Sequence, residues 1–378
     1  MPDITPVPLS QLTTLRTGGA PERMVEVRTR DEAIEELRDA WAEHEPCLVV
    51  GGGSNLFVGD DDLEGTVILM RTRGIERMPS PHEGRVRVRV EAGHDWDELV
   101  AFTVAEGLAG IEAMSGIPGT VGAAPVQNIG AYGQEIDQTL VEVELIDERD
   151  GEVSVVPASE LGLGFRTSVL KQHHGSVAPR SAVILSVTLE LREIGADAYP
   201  VQGEQLRRAL GLAEGEAVTL AWVREHVLTT RAAKGMVLDD ADPDTHSAGS
   251  FFQNAIVSAA FARTLPPECP RWPLHPEIDT VTVIPLASYD GVVAAPRGAA
   301  PEVKVSAAWL IENSGLRKGF KLPRSRAALS TKHALALTNR NAATAAEIAE
   351  LARFIQGRVA AEYGLILQPE PVLVGVEL

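Results

Sequence analysis

Hydrophobic and polar positions follow two rhythms along this chain. Arg85-Val86-Arg87-Val88-Arg89-Val90 alternates strictly, which puts the valines on one face and the arginines on the other, as in a half-buried strand. Leu140–Ile146 and Val153–Val156 read as a hairpin closed by Asp150-Gly151. Cys47–Val50, Thr66–Met70 and Ala182–Leu191 are further apolar runs of strand length. The helical rhythm shows first after Asp31, with Ile34, Leu37 and Trp41 at helical spacing. It returns from Asp95 through Trp96, Leu99, Val100 and Val104 to a stop at Gly107, and again over Ser306–Ser314 around Trp309 and Leu310. Ala345–Tyr363 is the clearest helix: Ile348, Leu351, Ile355 and Val359 share a face, and Gly364 supplies the stop.

These elements divide the chain. The first 75 or so residues and the stretch from about 71 to 200 read as two mixed α/β lobes. Residues 200–245 read as helical and polar, with an acidic connector at Asp239–Asp244, and a third segment is under way by Ser247. Ala and Pro are enriched around 292–301, which suggests a surface loop. No internal repeat and no low-complexity tract is visible.

Composition narrows the function. At 378 residues the chain has room for two or three domains, taking roughly 150 residues for each. Hydrophobic residues make up 44% and charged residues 23%, as in an ordinary soluble globular protein. Asp and Glu number 53 against 34 Lys and Arg, a net charge of −19. That is no surface for wrapping phosphate backbones, and an aromatic content of 4% offers no stacking platform, so nucleic acid is not expected as a partner. Any anionic ligand must be met by local exceptions to the overall field.

Cys47 and Cys269 stand alone, which fits a reducing cytoplasm and excludes a disulfide scaffold or a cysteine-built metal site. His173-His174 has no metal-ligand spacing, so no metal is expected. Met1–Thr5 lacks a signal pattern and no run of about 18 apolar residues occurs, so the expectation is a cytoplasmic protein without a membrane partner.

Five segments are candidates for chemistry. Gly51-Gly52-Gly53-Ser54-Asn55 follows a strand directly, and successive glycines can present backbone N–H groups to phosphate oxygens, or simply make a tight turn. The run is neither Gly-x-Gly-x-x-Gly nor a Walker loop, which disfavours a Rossmann dinucleotide fold and a P-loop. Gly116–Pro125 is nearly without bulk and suits a large flat ligand, or a tightly packed loop. It continues as Val126–Gly133, with Gln127, Asn128 and Tyr132 near the same surface. Two such loops favour a dinucleotide with a broad ring system. Arg166 lies among small and polar residues in Gly164–Ser168, where a lone arginine is also an ordinary surface charge. Ser250, between Gly249 and Phe251-Phe252, is a hydroxyl at an apolar edge: a proton donor to a carbanion, or a turn cap. It is no Gly-x-Ser-x-Gly elbow, which argues against a serine hydrolase. Glu370 is held between Pro369 and Pro371, either as a rigid acid or as an exposed strand-entry residue.

Taken in order, these segments resemble one family, the UDP-N-acetylenolpyruvoylglucosamine reductases. The resemblance runs nearly end to end through Thr14-Leu15-Arg16-Thr17-Gly18-Gly19, Val50–Asn55, Ser115–Gly119, Gln127–Gly133, Gly249–Phe252 and Pro369-Glu370. It implies a mixed α/β, α+β chain. An FAD-binding part of vanillyl-alcohol-oxidase-like (PCMH) type would have two lobes, 1–72 with 365–378, and 73–214. A substrate-binding α+β domain would span 215–364, with the last strand, near Leu365–Val376, returning to the first lobe. FAD contacts would come from Gly51, Gly52, Gly53, Ser54, Asn55, Ser115, Gly116, Ile117, Pro118, Gly119, Gly122, Ala123, Gln127, Asn128, Gly130 and Ala131.

The reaction implied is NADPH-driven reduction of the enolpyruvyl group of a UDP-sugar, completing UDP-N-acetylmuramate for peptidoglycan. Hydride would pass from flavin N5 to C3 and a proton from Ser250 to C2, with Arg166 and Glu370 polarising the enolic carboxylate. Tyr132, Lys234, Asn254, Lys318 and His333 would meet the sugar nucleotide. The default oligomeric state is a monomer. Two departures stand out. Phe165 replaces the tyrosine of the family's Gly-Tyr-Arg-x-Ser. The substrate-covering loop of one subgroup corresponds to about 193–220, with Tyr199 or Gln202 at the place of its tyrosine. A flavin oxidase of the same superfamily and a non-catalytic nucleotide-binding relative are the competing readings. The first would lack Gly249–Phe252 and Pro369-Glu370, and the second has no need of a proton donor.

Overall fold

A computed structural model describes residues 3–171, 178–274 and 302–378. His173-His174 and the Ala/Pro-rich stretch at 292–301 lie outside the described residues. The first lobe is a four-stranded sheet in the order Asp3–Ile4, Pro21–Val27, Leu63–Met70, Cys47–Val50. Leu63–Met70 runs parallel to both of its neighbours. Helix α1, Arg30–Ala42, crosses between the two outer parallel strands and buries Ala33 and Leu37 on the sheet. Thr29 caps it through a reciprocal box with Glu32, so the helix starts where the sequence changes rhythm.

The second lobe is a six-stranded antiparallel sheet. Its order is Val153–Pro157, Leu140–Asp147, Ala182–Glu193, Arg85–Glu91, Ile75–Pro79, with Leu108–Ala109 pairing on the long central strand. Val86, Val88 and Val90 are buried at 7%, 0% and 0% exposure, as the alternation predicts. Helix α2, Trp96–Ala105, is capped by Asp95 and packs Trp96, Leu99 and Val100 into a core that runs on through Val25, Ile68 and Leu37 of the first lobe. The two lobes therefore share one hydrophobic core, and the glycine-rich loops lie at its edge.

Helices α3 and α4, Glu204–Leu210 and Leu220–Ala233, occupy the polar region between 200 and 245. The α4 residues Leu220, Val223 and Val227 pack with Ala109, Ala113, Tyr199 and Leu206. The third part holds helix α5, Ala259–Ala262; a three-stranded antiparallel sheet; helix α6, Ala307–Asn313; and helix α7, Ala345–Tyr363. α7 ends at Gly364 in the left-handed region and buries Ile348, Leu351, Ile355 and Val359 in a core shared with α6, Phe251 and the antiparallel pair Ala327–Leu329 and Leu337–Asn339. The chain then returns: Val372–Val374 pairs in parallel with Leu56–Val58 of the first lobe.

Candidate functional site

One cleft, about 520 Å³ in volume, brings most of the candidate residues together. Its floor is the Gly51–Asn55 turn and residues 117–132, and its opposite wall is built by Ser247–Ser250, Lys234, His333 and Glu370.

The glycines of the floor are explained by each other. A Cβ on Gly52 would stand 2.6 Å from the Cα of Gly119, and one on Gly51 would stand 2.2 Å from Thr120 Oγ1. Gly119 itself has φ +127°, which side-chain-bearing residues rarely adopt. The two small-residue runs are thus one motif, two loops in backbone contact, with Ser54 Oγ donating to Pro118 O at 2.8 Å. Among the described residues, the N–H groups of Gly52, Gly53, Ser54 and Asn55 reach no acceptor in the protein. They remain as donors at the cleft floor.

The second loop is held from behind. Asp97 accepts from Gly116 N at 2.6 Å and makes a bidentate pair with Arg224 of α4. Burial alone would raise the Asp97 pKa, but the Arg224 guanidinium and the Gly116 N–H outweigh it and hold the carboxyl low.

Ser250, Arg166 and Glu370 come from three distant segments and all line the cleft. Arg166 has φ +55° and is clamped by its own donors: Nη1 to Asn128 O at 3.2 Å and Nη2 to Gly130 O at 2.9 Å. Its Nε lies 3.2 Å from Glu370 Oε1. Glu370 N donates to Phe251 O at 2.8 Å and Gln253 N to Gln368 O at 3.0 Å. That short antiparallel register fixes the glutamate beside the residue after Ser250. Among the described residues the Ser250 hydroxyl has no hydrogen-bond partner, so it caps no turn.

A cationic group lies on the opposite wall. Arg231 is half-buried, its enclosed Nε has no partner among the described residues, and desolvation lowers its pKa. Lys234 Nζ sits 5.6 Å over the Tyr132 ring. Burial, with Lys234, Lys318 and Arg231 nearby, pulls the His333 imidazole down to about 4, and its Nδ1 is also unpartnered. Two buried nitrogens without partners among the described residues, in one cleft, fit anionic ligands, and the glycine N–H donors fit phosphate oxygens. The residues present therefore fit FAD together with a sugar nucleotide.

Several sequence candidates lie outside the cleft lining. Ser115 is fully buried and donates to Glu112 O at 2.7 Å. Gly116 turns at φ +72° against Leu228, and Gly122 packs on Ala92. Asn128 is fully buried, donating to Gly164 O and accepting from Asp137 N. Asn254 accepts from Ala307 N at 3.0 Å, at the start of α6. Lys318 is exposed and acts on the cleft through its charge on His333. Neither reading of the loop tyrosine places a group over the cleft. Tyr199 is 6% exposed and donates inward to Glu112 Oε1 at 2.7 Å, while Gln202 is exposed and donates to Pro200 O. Phe165 is covered instead by Lys304, whose Nζ stands 4.3 Å from the ring centre. Sequence reasoning passed over Arg231 and Lys171. Both are lysine or arginine in polar runs, and only the fold buries them.

Comparison with known proteins adds an independent line. A family model described as FAD binding domain matches residues 21–156, and one described as the UDP-N-acetylenolpyruvoylglucosamine reductase C-terminal domain matches residues 242–374. The chain is 51% identical over 382 residues to the UDP-N-acetylenolpyruvoylglucosamine reductase of Leifsonia xyli subsp. xyli, covering 99% of each. It is 45% identical to the protein of that name from Nocardia farcinica, over 98% of this chain and 90% of the other. Among solved structures, UDP-N-acetylenolpyruvylglucosamine reductase from Thermus caldophilus covers 99% of both chains with a TM-score of 0.60 and 24% identity, a likeness of fold.

Proposed function

The chain belongs to the UDP-N-acetylenolpyruvoylglucosamine reductase family, and from that premise we propose how its cleft carries out FAD-dependent, NADPH-driven reduction of UDP-N-acetylglucosamine enolpyruvate to UDP-N-acetylmuramate, a step of peptidoglycan synthesis and so of cell-wall growth and division. The observation that supports the residue roles is the convergence of Ser250, Arg166 and Glu370, from three segments, on a cleft floored by free glycine N–H groups.

In this reading FAD rests on the 51–55 and 117–131 loops and, when bound, supplies the hydride chemistry of the reduction. Arg166 and Glu370 orient the substrate carboxylate. The guanidinium, held rigid by Asn128 O and Gly130 O, meets charge that grows on that carboxylate. Its pairing with Glu370 removes the difficulty of an acid beside an acid. Ser250, with its hydroxyl uncommitted, delivers the proton to C2. Arg231, Lys234, Tyr132 and His333 bind the nucleotide end, with Lys318 adding charge from outside. Asn254, whose Oδ1 accepts from Ala307 N at the start of α6, stays outside the cleft lining. The division into 1–72 with 365–378, 73–214 and 215–364 makes α4 the seam between the second lobe and the substrate-binding part.

Among the described residues no helix is long and apolar enough to cross a membrane. Two unpaired cysteines support a cytoplasmic protein, and a monomer is the expected state, checked by sedimentation.

The test separates the two half-reactions. The purified protein is expected to show a flavin spectrum, to reduce that flavin once with NADPH alone, and to turn NADPH over repeatedly only with the enolpyruvyl sugar nucleotide present. Ser250→Ala should leave flavin reduction by NADPH nearly intact and slow the substrate half-reaction by about 10³-fold or more. Equal damage to both would make Ser250 structural, and fast turnover with oxygen alone would favour a flavin oxidase.

A further inference from the structure

One buried cation joins the proposed catalytic groups to the cofactor loops without lining the cleft. Lys171 is 5% exposed. Its Nζ donates to Gln127 Oε1 at 2.7 Å and to the backbone oxygen of Glu370 at 2.8 Å. Gln127 Oε1 also accepts from Asn55 Nδ2 at 2.7 Å. Glu370 is already held by Phe251 O and Arg166 Nε. The connected set Asn55–Gln127–Lys171–Glu370–Arg166 therefore spans both glycine loops, the Arg166 segment and the chain's C-terminal return.

Burying an ammonium is costly, and an apolar side chain of similar length fills the same space without that cost. We propose that Lys171 is a positioning residue for the reaction. It fixes Glu370 through its carbonyl, locks that residue to the cofactor loop at Gln127, and supplies the positive charge that leaves the Arg166–Glu370 pair free to accept an anionic substrate. The inference rests on the functional reading above.

Among the described residues, Glu370, on the C-terminal segment, and Arg166, on the loop before Lys171, are the charged groups facing this ammonium. Burial lowers its pKa to about 8, with Glu370 opposing and Arg166 adding to the shift. The charged form is thus lost above roughly pH 8, two units or so before an exposed lysine.

The experiment compares FAD-loaded wild type and Lys171→Met in separate half-reactions from about pH 6.5 to about 9.5. Flavin reduction by NADPH should stay within about 3-fold of wild type, while oxidation by the sugar nucleotide slows about 10-fold or more at pH 7. The wild-type decline above roughly pH 8 should vanish in the variant. A readout free of activity comes from thermal unfolding of the cofactor-free protein. The folded pKa lies below the unfolded one, so wild type should gain stability relative to Lys171→Met as the pH rises from about 8 to about 10.

Equal slowing of both half-reactions, or parallel pH profiles in wild type and variant, would make Lys171 a packing residue and overturn the proposal. Were Lys171→Met not to fold, Lys171→Arg decides. Recovery of substrate oxidation with its alkaline decline moved above about pH 9.5 supports the proposal, and unaltered decline near pH 8 overturns it. Wild type inert toward the sugar nucleotide would instead remove the functional reading, while the unfolding comparison still reports on Lys171.

Discussion

At the scale of single residues, burial decides which charges matter. His333 shows this in a measurable form. Burial and the cations around it hold the imidazole near 4, so it is neutral across the physiological range. The unfolded chain binds a proton near 6.5 and the folded one does not, so this group's contribution is intact above about 6.5 and is lost as pH falls toward 4. The loss amounts to about 3 kcal/mol, and His333→Gln should remove that part of the acid sensitivity. Urea midpoints at about pH 7 and about pH 4.5 check it, and equal midpoint losses in both proteins would contradict it. The catalytic candidates were legible at this scale because Ser250, Arg166 and Glu370 stand in short distinctive strings. Lys171 and Asn128 were not. A lysine five positions after an arginine reads as surface charge, and an asparagine in a small-residue run reads as a ligand. Only tertiary packing buries the first on Glu370 O and the second between Gly164 and Asp137.

At the scale of elements, the sequence speaks through caps and periods and falls silent where both are missing. α2 begins after Asp95, and α7 is bounded by the Thr344 capping box and by Gly364, so their limits were plain. The single turns at Glu112–Met114, Val121–Ala123 and Pro125–Gln127 carry no period, and the run containing them read only as glycine-rich. What shapes that run is contact with the 51–53 turn. Gly52→Ala tests this directly, because its Cβ would stand 2.6 Å from Gly119 Cα. The substitution should cost about 1–3 kcal/mol of stability and weaken FAD retention about 10-fold or more, read by flavin fluorescence on dilution. Gly357→Ala is the matched control: it lies in α7 with nothing near its added methyl, and should stabilise the protein by about 0.5–1 kcal/mol.

At the scale of the whole molecule, the parts are bound by chain crossings that no local pattern announces. Tyr199, in the segment inserted after the long central strand, donates to Glu112, which also accepts from Gly110 N and Gln134 Nε2. The segment thus braces the hairpin that carries Tyr132 and does not reach over the cleft. The C-terminal return is the larger crossing. Val372–Val374 pairs with Leu56–Val58 in a two-stranded sheet of their own, Val376 and Leu378 pack on the third part's core, and Glu377 O accepts from Arg353. Ending the chain at Pro371 should lower the melting temperature by about 5 °C or more and release FAD, since Glu370 loses the strand that anchors it. Unchanged melting and flavin content would show that the return is dispensable.

That return also sets an order of events during biosynthesis. The residues that place Glu370 beside Arg166, and that pair with Leu56–Val58, are made after both lobes and α7. The lobes and α7 can fold as each emerges, since domains fold largely in the order of synthesis. The cleft cannot close its charge network until the Pro369–Val374 segment has emerged. A nascent chain that has not yet passed Val374 therefore carries the glycine loops and the proton donor without the seated carboxylate, and the complete constellation appears only after that segment docks.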